Sequence, residues 1–252
     1  GLRRMVEVHE LSKSFLDPKR GEIRAVDRVS FTAKPGRILG LLGVNGAGKT
    51  TTLRMLSTVI SPGHGTALVG GFDISKDPTR VRETIGFVSG STGLYGRLSA
   101  KECLEYFGQL YGLSGAQLSE AMSLVSDQLN LHEFLNQLCD KLSTGQKQRV
   151  SIARAIIHNP PIMFFDEPTA GLDVLASQSI MEFIEGCRDQ GKTVVFSTHI
   201  MSEVERLCDD VVVIHEGQVR AFGSADDMKI QSGTMTLEQA FLNLLGYERG
   251  DA

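Results

Sequence analysis

The octet Gly43, Val44, Asn45, Gly46, Ala47, Gly48, Lys49 and Thr50 constrains this chain more than any other feature. It fits G-x-x-x-x-G-K-[ST] and has the flanks such a loop needs. Ile38 to Leu42 before it is apolar on both faces, like a central strand, and Thr50 to Ile60 after it carries Leu53, Leu56 and Ile60 at helical spacing. The order of strand, glycine-rich loop and helix defines a phosphate cradle. Glycines let backbone N–H groups turn inward around phosphate oxygens, Lys49 adds a cation near the β and γ phosphates, and Thr50 offers a hydroxyl to Mg2+. The competing reading is an ordinary glycine-rich turn, and the flanks weigh against it.

A second apolar strand, Ile162 to Phe165, ends in Asp166 and Glu167, which places two carboxylates at a strand's C-terminal edge beside that loop. Asp166 is expected to hold Mg2+, often through water, and Glu167 to polarise the attacking water; a solvated acidic turn is the plain alternative. Upstream, Leu142, Ser143, Thr144, Gly145 and Gln146 read L-S-x-G-Q ahead of a helix with Val150, Ala153, Ile156 and Ile157 on one face. Ser143 is expected to cap that helix, with Gln146 at the capping-box position. The free N–H groups and the helix dipole then favour a phosphate, although capping alone accounts for the same residues.

Elsewhere the period marks strands at Val6 and Val8, at Val29, Phe31 and Ala33, at Thr66 to Val69, Ile85 to Val88, Thr193 to Ser197 and Val211 to Ile214. From Leu98 it turns helical, through Leu104, Phe107 and Tyr111, then Leu118 to Leu129, then Leu131, Phe134, Leu135 and Leu138, so this block is expected to be all helix. Another helix carries Ile180, Phe183, Ile184 and Cys187. Beyond Gly223 the chain reads as short and polar until one amphipathic terminal helix with Leu237, Phe241, Leu244 and Leu245.

Taken together, the phosphate loop, L-S-x-G-Q ahead of the acidic strand, and His199 after the Thr193 to Ser197 strand resemble an ATP-binding cassette (ABC) domain from about Val6 to Gly223. The resemblance implies an α/β fold: a P-loop NTPase (RecA-like) core with an antiparallel β subdomain and an inserted α-helical subdomain. It implies one nucleotide-binding domain over 1–252, with 5–88 and 147–222 as core, 89–146 as the helical subdomain and 223–252 as a C-terminal extension. It also implies MgATP hydrolysis with Lys49, Glu167 and His199 as catalytic residues, ATP and Mg2+ as cofactors, and Thr50 and Asp166 on the metal. Gly43, Asn45, Gly46, Ala47, Gly48, Lys49, Thr50 and Thr51 are expected along the nucleotide. Ser143, Gly145 and Gln146 are expected to face the nucleotide of a second such subunit, so the resemblance implies a homodimer, with Asp173, in the run Ala170 to Asp173, near that interface. Phe15 matches the aromatic that stacks on adenine; a half-buried strand residue is the competing reading. Two departures stand out. Val44 replaces the commoner proline, and Gly90 occupies the position of a glutamine that arranges Mg2+ and water, leaving Ser91 or Thr92 as substitutes.

The 26 basic and 30 acidic residues give a net charge of −4 with no basic stripe, which argues against nucleic acid as the main partner. No apolar run approaches the roughly 20 residues that span a bilayer, so transport requires a separate transmembrane permease. Gly1 to Arg4 read as a short extension without a following leader, and four cysteines lacking C-x-x-C spacing suggest a reducing cytosol rather than a zinc site. The expected location is cytoplasmic, peripheral on the inner face of the cell membrane. The pattern Phe87, Val88, Ser89, Gly90, Ser91, Thr92, Gly93, Leu94, Tyr95 and the ending Leu237, Glu238, Gln239, Ala240, Phe241 resemble the ATPases of ABC-2 type exporters, a class linked to sodium (Na+) extrusion. A soluble ABC ATPase without a membrane partner is the alternative; a P-loop kinase or GTPase leaves L-S-x-G-Q and His199 unexplained. The permease is expected to dock on Leu94, Tyr95 and Leu98, with Phe107 or Tyr111 behind them.

Overall fold

The computed structural model describes residues 5–90 and 93–247; Gly1 to Arg4, Ser91 and Thr92 lie outside the described residues. Two sheets organise the chain. The first is antiparallel, in the order β2-β1-β4-β5, from β1 (Val6–Asp17), β2 (Gly21–Ala33), β4 (His64–Val69) and β5 (Phe72–Asp73). The second comprises β3 (Ile38–Leu42), β6 (Ile85–Ser89), β7 (Ile162–Asp166), β8 (Thr193–Thr198), β9 (Asp210–His215) and β10 (Gln218–Gly223) in the order β10-β9-β3-β8-β7-β6. Its strands run parallel except β10, which pairs antiparallel with β9.

Burial of both sheet faces explains the near-continuous apolar strands, and residue parity decides which core each side chain joins. Met163 and Phe165 of β7 pack with Val194 and Phe196 of β8 under the helices α3 (Ala100–Leu110), α4 (Gly115–Leu129), α5 (Thr144–Ile156) and α6 (Val174–Asp189). Ile162 and Phe164 face the opposite way, into a core shared with α1 (Lys49–Leu56) and with Val6, Val8 and Phe31 of the antiparallel sheet. A third cluster joins Leu42, Val211 and Val213 to α7 (Met201–Leu207), α8 (Ala225–Ser232) and α9 (Leu237–Leu244). The architecture is the α/β core with an antiparallel sheet and a helical layer that the resemblance implied.

Because β3, β8 and β7 are parallel neighbours, the loops leaving their C-terminal ends emerge side by side. Those loops carry the glycine-rich octet, His199 and Glu167.

The helical block is not helical throughout. Residues 131–138 form successive turns, with the Phe134 N–H bonded to the Leu131 carbonyl and the Gln137 N–H to that of Phe134. The Leu135 and Gln137 carbonyls instead accept from Lys101 and Ala100, satisfying free N–H groups at the start of α3. Helical spacing there buries Leu131 and Phe134 without a helix. The helix α1 stops at Leu56, short of Ile60, because Thr58 takes a left-handed φ of 65°. Past Gly223 lie two helices instead of one: Ser224 caps α8 in a capping box with Asp227, and Gly233 ends it with φ 64°. The short elements β5, α2 (Pro78–Thr84), α7 and β10 carry too little periodicity to be read from sequence.

Candidate functional site

The octet forms a tight turn between β3 and α1, and its last glycine makes the turn possible. Gly48 has φ +109°, and a Cβ there would lie 2.6 Å from the Ala25 carbonyl oxygen, so L side chains are excluded on both counts. The turn between β9 and β10 braces the loop from outside: the Gly217 N–H donates to the Ala47 carbonyl at 2.9 Å, and the Gly217 carbonyl accepts from the Asp27 N–H at 2.8 Å. Val44 is exposed, which is consistent with tolerance of a residue other than proline. Lys49, only 4% exposed, donates from Nζ to the Gly43 carbonyl and lies 3.3 Å from Glu167 Oε1. Burial pushes its ammonium below the ordinary lysine value while Glu167 and Asp166 pull it back.

Around it the carboxylates are held by hydroxyls. Thr50 Oγ1 donates to Asp166 Oδ2 at 2.9 Å, and Ser197 Oγ donates to Asp166 Oδ1 at 2.7 Å. Ser197 Oγ also accepts the Glu167 N–H at 3.0 Å. His199 Nδ1 lies 2.7 Å from Glu167 Oε1, so Glu167 sits between an imidazole and an ammonium. Burial pushes the Glu167 carboxyl up, but the His199 hydrogen bond and Lys49 outweigh it and hold the group below the usual glutamate value. Glu167 also has φ +46°, a left-handed backbone that non-glycine residues adopt at a cost. Oxygen donors from Thr50 and Asp166 suit a hard divalent cation such as Mg2+, which completes its shell with water and phosphate rather than a protein cage.

Lys49, Thr50, Asp166, Glu167 and His199 thus form one hydrogen-bonded cluster, which the Gly43 carbonyl joins through Lys49; Phe15, Ser143, Gly145, Gln146 and Asp173 lie outside it. Ser143 caps α5 and exchanges bonds with Gln146, its Oγ accepting the Gln146 N–H at 3.2 Å and its N–H donating to Gln146 Oε1 at 3.0 Å. A Cβ on Gly145 would meet that of Ala176 at 3.2 Å, so the start of α5 packs close to the start of α6, where Asp173 accepts the Ala176 N–H. A cleft of about 190 Å3 links Thr144 and Lys147 of α5 to Glu167 and to Gly90, beside which Leu94 also lies. Gln148 ties α5 to the acidic loop by donating to the Pro168 carbonyl at 2.7 Å. Phe15 is 43% exposed, with Lys13 Nζ 5.6 Å from its ring centroid, and pairs with Ile23, two residues from the stretch of β2 against Gly48. Asn45 and Gly46 are exposed on the octet and Thr51 lies in the first turn of α1.

Ser197 and Gln148 were not identified from sequence as functional residues. The signal for Ser197 is a pairing, Asp166 opposite Ser197 across β7 and β8, which only the register reveals.

A second groove, about 430 Å3, opens between α1 and the helical layer, lined by Arg54, Arg82, Tyr95, Phe107, Tyr111 and Arg154 among others. Tyr95 stacks on Phe107 with centroids 6.5 Å apart, and the Arg154 guanidinium lies 5.0 Å from the Phe107 centroid. Leu94 and Leu98 do not line it. Leu94 packs on the helical core and borders the smaller cleft, and the backbone of Leu98 bonds to Tyr95 and Cys139.

Fold and site define a P-loop nucleotide-binding domain with a carboxylate and histidine poised at the phosphate loop. The family model for the ABC transporter matches residues 26–170. NatA, the ABC transporter ATP-binding protein of Bacillus subtilis (strain 168), is 41% identical over 242 residues, 96% of this chain and 98% of that one. The linearmycin resistance ATP-binding protein LnrL of the same organism is 33% identical, covering 93% of this chain and 74% of its own. Among solved structures, an ATP-binding subunit of an ABC transporter superposes with a TM-score of 0.85 at 30% identity, covering 96% of this chain and 99% of its own. The dimeric cassette MJ0796 bound to ADP and Pi gives 0.78 at 27% identity, covering 87% of this chain and 98% of its own. The chain belongs to the ABC transporter family, as an ATP-binding subunit with the ATPase activity of that family.

Proposed function

We propose that this chain powers an exporter whose transmembrane part is a separate permease, and that it works as a pair of identical cassettes on the cytoplasmic face of the membrane, with Na+ as the leading cargo. Among the described residues no helix is long and apolar enough to cross a membrane, and the proposal assigns translocation to a separate permease. The likeness of the 87–95 and 237–241 segments to ABC-2 type exporter ATPases supports the export reading and the cargo, similarity to NatA, an ABC transporter ATP-binding protein, supports the transporter role, and the dimeric neighbour supports the pairing.

The observation that carries the catalytic reading is the three-way contact at Glu167. The Lys49 ammonium is held on Glu167 and the Gly43 carbonyl, where β and γ phosphate oxygens compete for it. Once Lys49 turns to phosphate, the Glu167 carboxylate is free to accept a proton from water attacking the γ phosphorus, the bond to the β,γ-bridging oxygen breaks, and ADP and phosphate leave. His199 orients Glu167 through Nδ1, which leaves its other nitrogen to serve the γ phosphate when nucleotide is bound. Thr50 and Asp166 would hold Mg2+, which supplies charge neutralisation on the phosphates when bound. Phe15 serves as the adenine platform, and the capped start of α5, with Ser143, Gly145 and Gln146, faces the partner cassette's nucleotide, Asp173 lying at that interface. The aromatic and arginine groove of Tyr95, Phe107 and Tyr111 receives a cytoplasmic helix of the permease.

The test is reconstitution in vesicles with a multi-span membrane protein that copurifies with this chain. ATP-dependent Na+ movement across the vesicle membrane, lost in Lys49→Ala, supports the proposal. Turnover without copurification of any membrane protein overturns the permease assignment, and transport of another solute with no Na+ movement overturns the cargo.

A further inference from the structure

Glu203 lies in the first turn of α7 and is only 6% exposed. Its two oxygens accept from two hydroxyls on two different segments, the loop after β7 and the end of β8: Thr169 Oγ1 donates to Oε1, and Thr198 Oγ1 donates to Oε2 at 2.6 Å. Thr169 lies two residues after Glu167, in a turn closed by the Ala170 N–H on the Glu167 carbonyl at 3.1 Å. Thr198 immediately precedes His199, and its hydroxyl also accepts the Ile200 N–H at 3.0 Å, so the backbone on both sides of His199 is tied to this one carboxylate. Among the described residues no ion pair involves Glu203. A buried carboxylate held by hydroxyls alone is a poor device for stability, since an apolar side chain would fill the same space without desolvating a charge.

We propose that Glu203 is a positioning residue for hydrolysis: it joins the loop after Glu167 to the loop around His199 and so sets the approach of the His199 imidazole to the Glu167 carboxylate. Ser197 links the same loops on the β-strand side, through the Glu167 N–H and Asp166. Glu203 supplies a second tie through Thr169 and Thr198, and the 2.7 Å contact of His199 with Glu167 joins the same two segments. The role rests on reading Glu167 and His199 as the hydrolytic pair, and it predicts an effect on turnover rather than on nucleotide binding, because neither threonine belongs to the phosphate loop.

The experiment is a double-mutant cycle on the full chain, measuring steady-state ATPase and binding of a fluorescent ATP analogue. Glu203→Ala is expected to lower kcat about tenfold or more with KM and analogue affinity within about threefold, and to lower the residual rate of His199→Ala no further. Glu203→Gln, which accepts from one threonine while donating to the other, is expected to restore most of the rate. Thr198→Val repeats the cycle with a near-isosteric change should Glu203→Ala not fold. An unchanged kcat, a loss confined to KM, or an equal further loss in the His199→Ala background overturns the positioning role. Full activity of His199→Ala overturns the hydrolytic pair and this role with it, whereas an impaired His199→Ala with additive Glu203→Ala overturns the role alone.

Discussion

Glu167→Gln separates the two jobs that the structure gives this side chain. The amide is nearly the same size and can still meet His199, but it no longer takes a proton from water or pairs with Lys49. Loss of a general base costs about 100- to 10,000-fold in rate, or about 3 to 5 kcal/mol of barrier. The effect on binding has the opposite sign. At 3.3 Å the Lys49–Glu167 attraction is about 5 kcal/mol gross at an effective dielectric of about 20. Desolvation of a lysine only 4% exposed offsets most of it, leaving on the order of 1 kcal/mol that phosphate must displace. The Gln variant has no such pair to break, so MgATP is expected to bind up to about fivefold tighter while turnover collapses. Without nucleotide the variant should melt about 2–4 °C lower, the scale of about 1 kcal/mol in a chain of this size. Burial raises the Glu167 carboxyl, but His199 and Lys49 bring it below its unfolded value. The stability it adds is therefore present above the usual glutamate pKa and is lost as pH falls through the folded one, so the melting gap should close in acid. Equilibrium binding, a coupled phosphate assay and thermal melts at several pH values measure all three. Hydrolysis within about threefold of the parent chain, or weaker MgATP binding, would refute the reasoning.

Gly48→Ala meets the Ala25 carbonyl at 2.6 Å in a left-handed turn, so it should cost at least about 2 kcal/mol, visible as a melting point lowered by several degrees together with weakened ATP binding; an unchanged melt would show that the loop relaxes. Gly90→Gln places a Cβ with nothing within 4 Å, so the variant should fold normally and change the ATPase rate or its metal dependence more than nucleotide affinity, and identical kinetics would show the position unused. Tyr95→Asp puts a charge on a ring that is 56% exposed in the groove, and is expected to melt within about 2 °C of the parent yet fail to copurify with the permease; retained copurification removes Tyr95 from the interface.

What was legible in the sequence is local. The phosphate loop, the acidic strand end and the Ser143 and Gln146 capping box depend on contiguous residues, and the structure shows the same turn, strand end and cap. Strand parity was partly legible, since β7 is apolar at every position because both of its faces are covered. The turns at 131–138 were not, because Leu131 and Phe134 are buried at a helix-like spacing while the carbonyls between them serve the start of α3, a contact made only in three dimensions. The same holds for Ser197 and Glu203, whose roles come from strand order and from a short helix after His199. Leu94 does not line the groove expected of it because an apolar residue in a glycine-rich connection reads alike whether it faces outward or packs on the core beneath it.

The brace at Gly217 fixes what this domain can measure. One residue bonds the phosphate loop through Ala47 and the antiparallel sheet through Asp27, and a side chain on it would strike the Ala25 carbonyl at 2.7 Å. The sheet bearing Phe15 and the loop bearing Lys49 are therefore joined through one backbone unit. On the proposed reading of Phe15 as the adenine platform, that joint sets the spacing between base and phosphate, and a ligand that reaches only one of the two, such as adenosine or tripolyphosphate, gains nothing from the other.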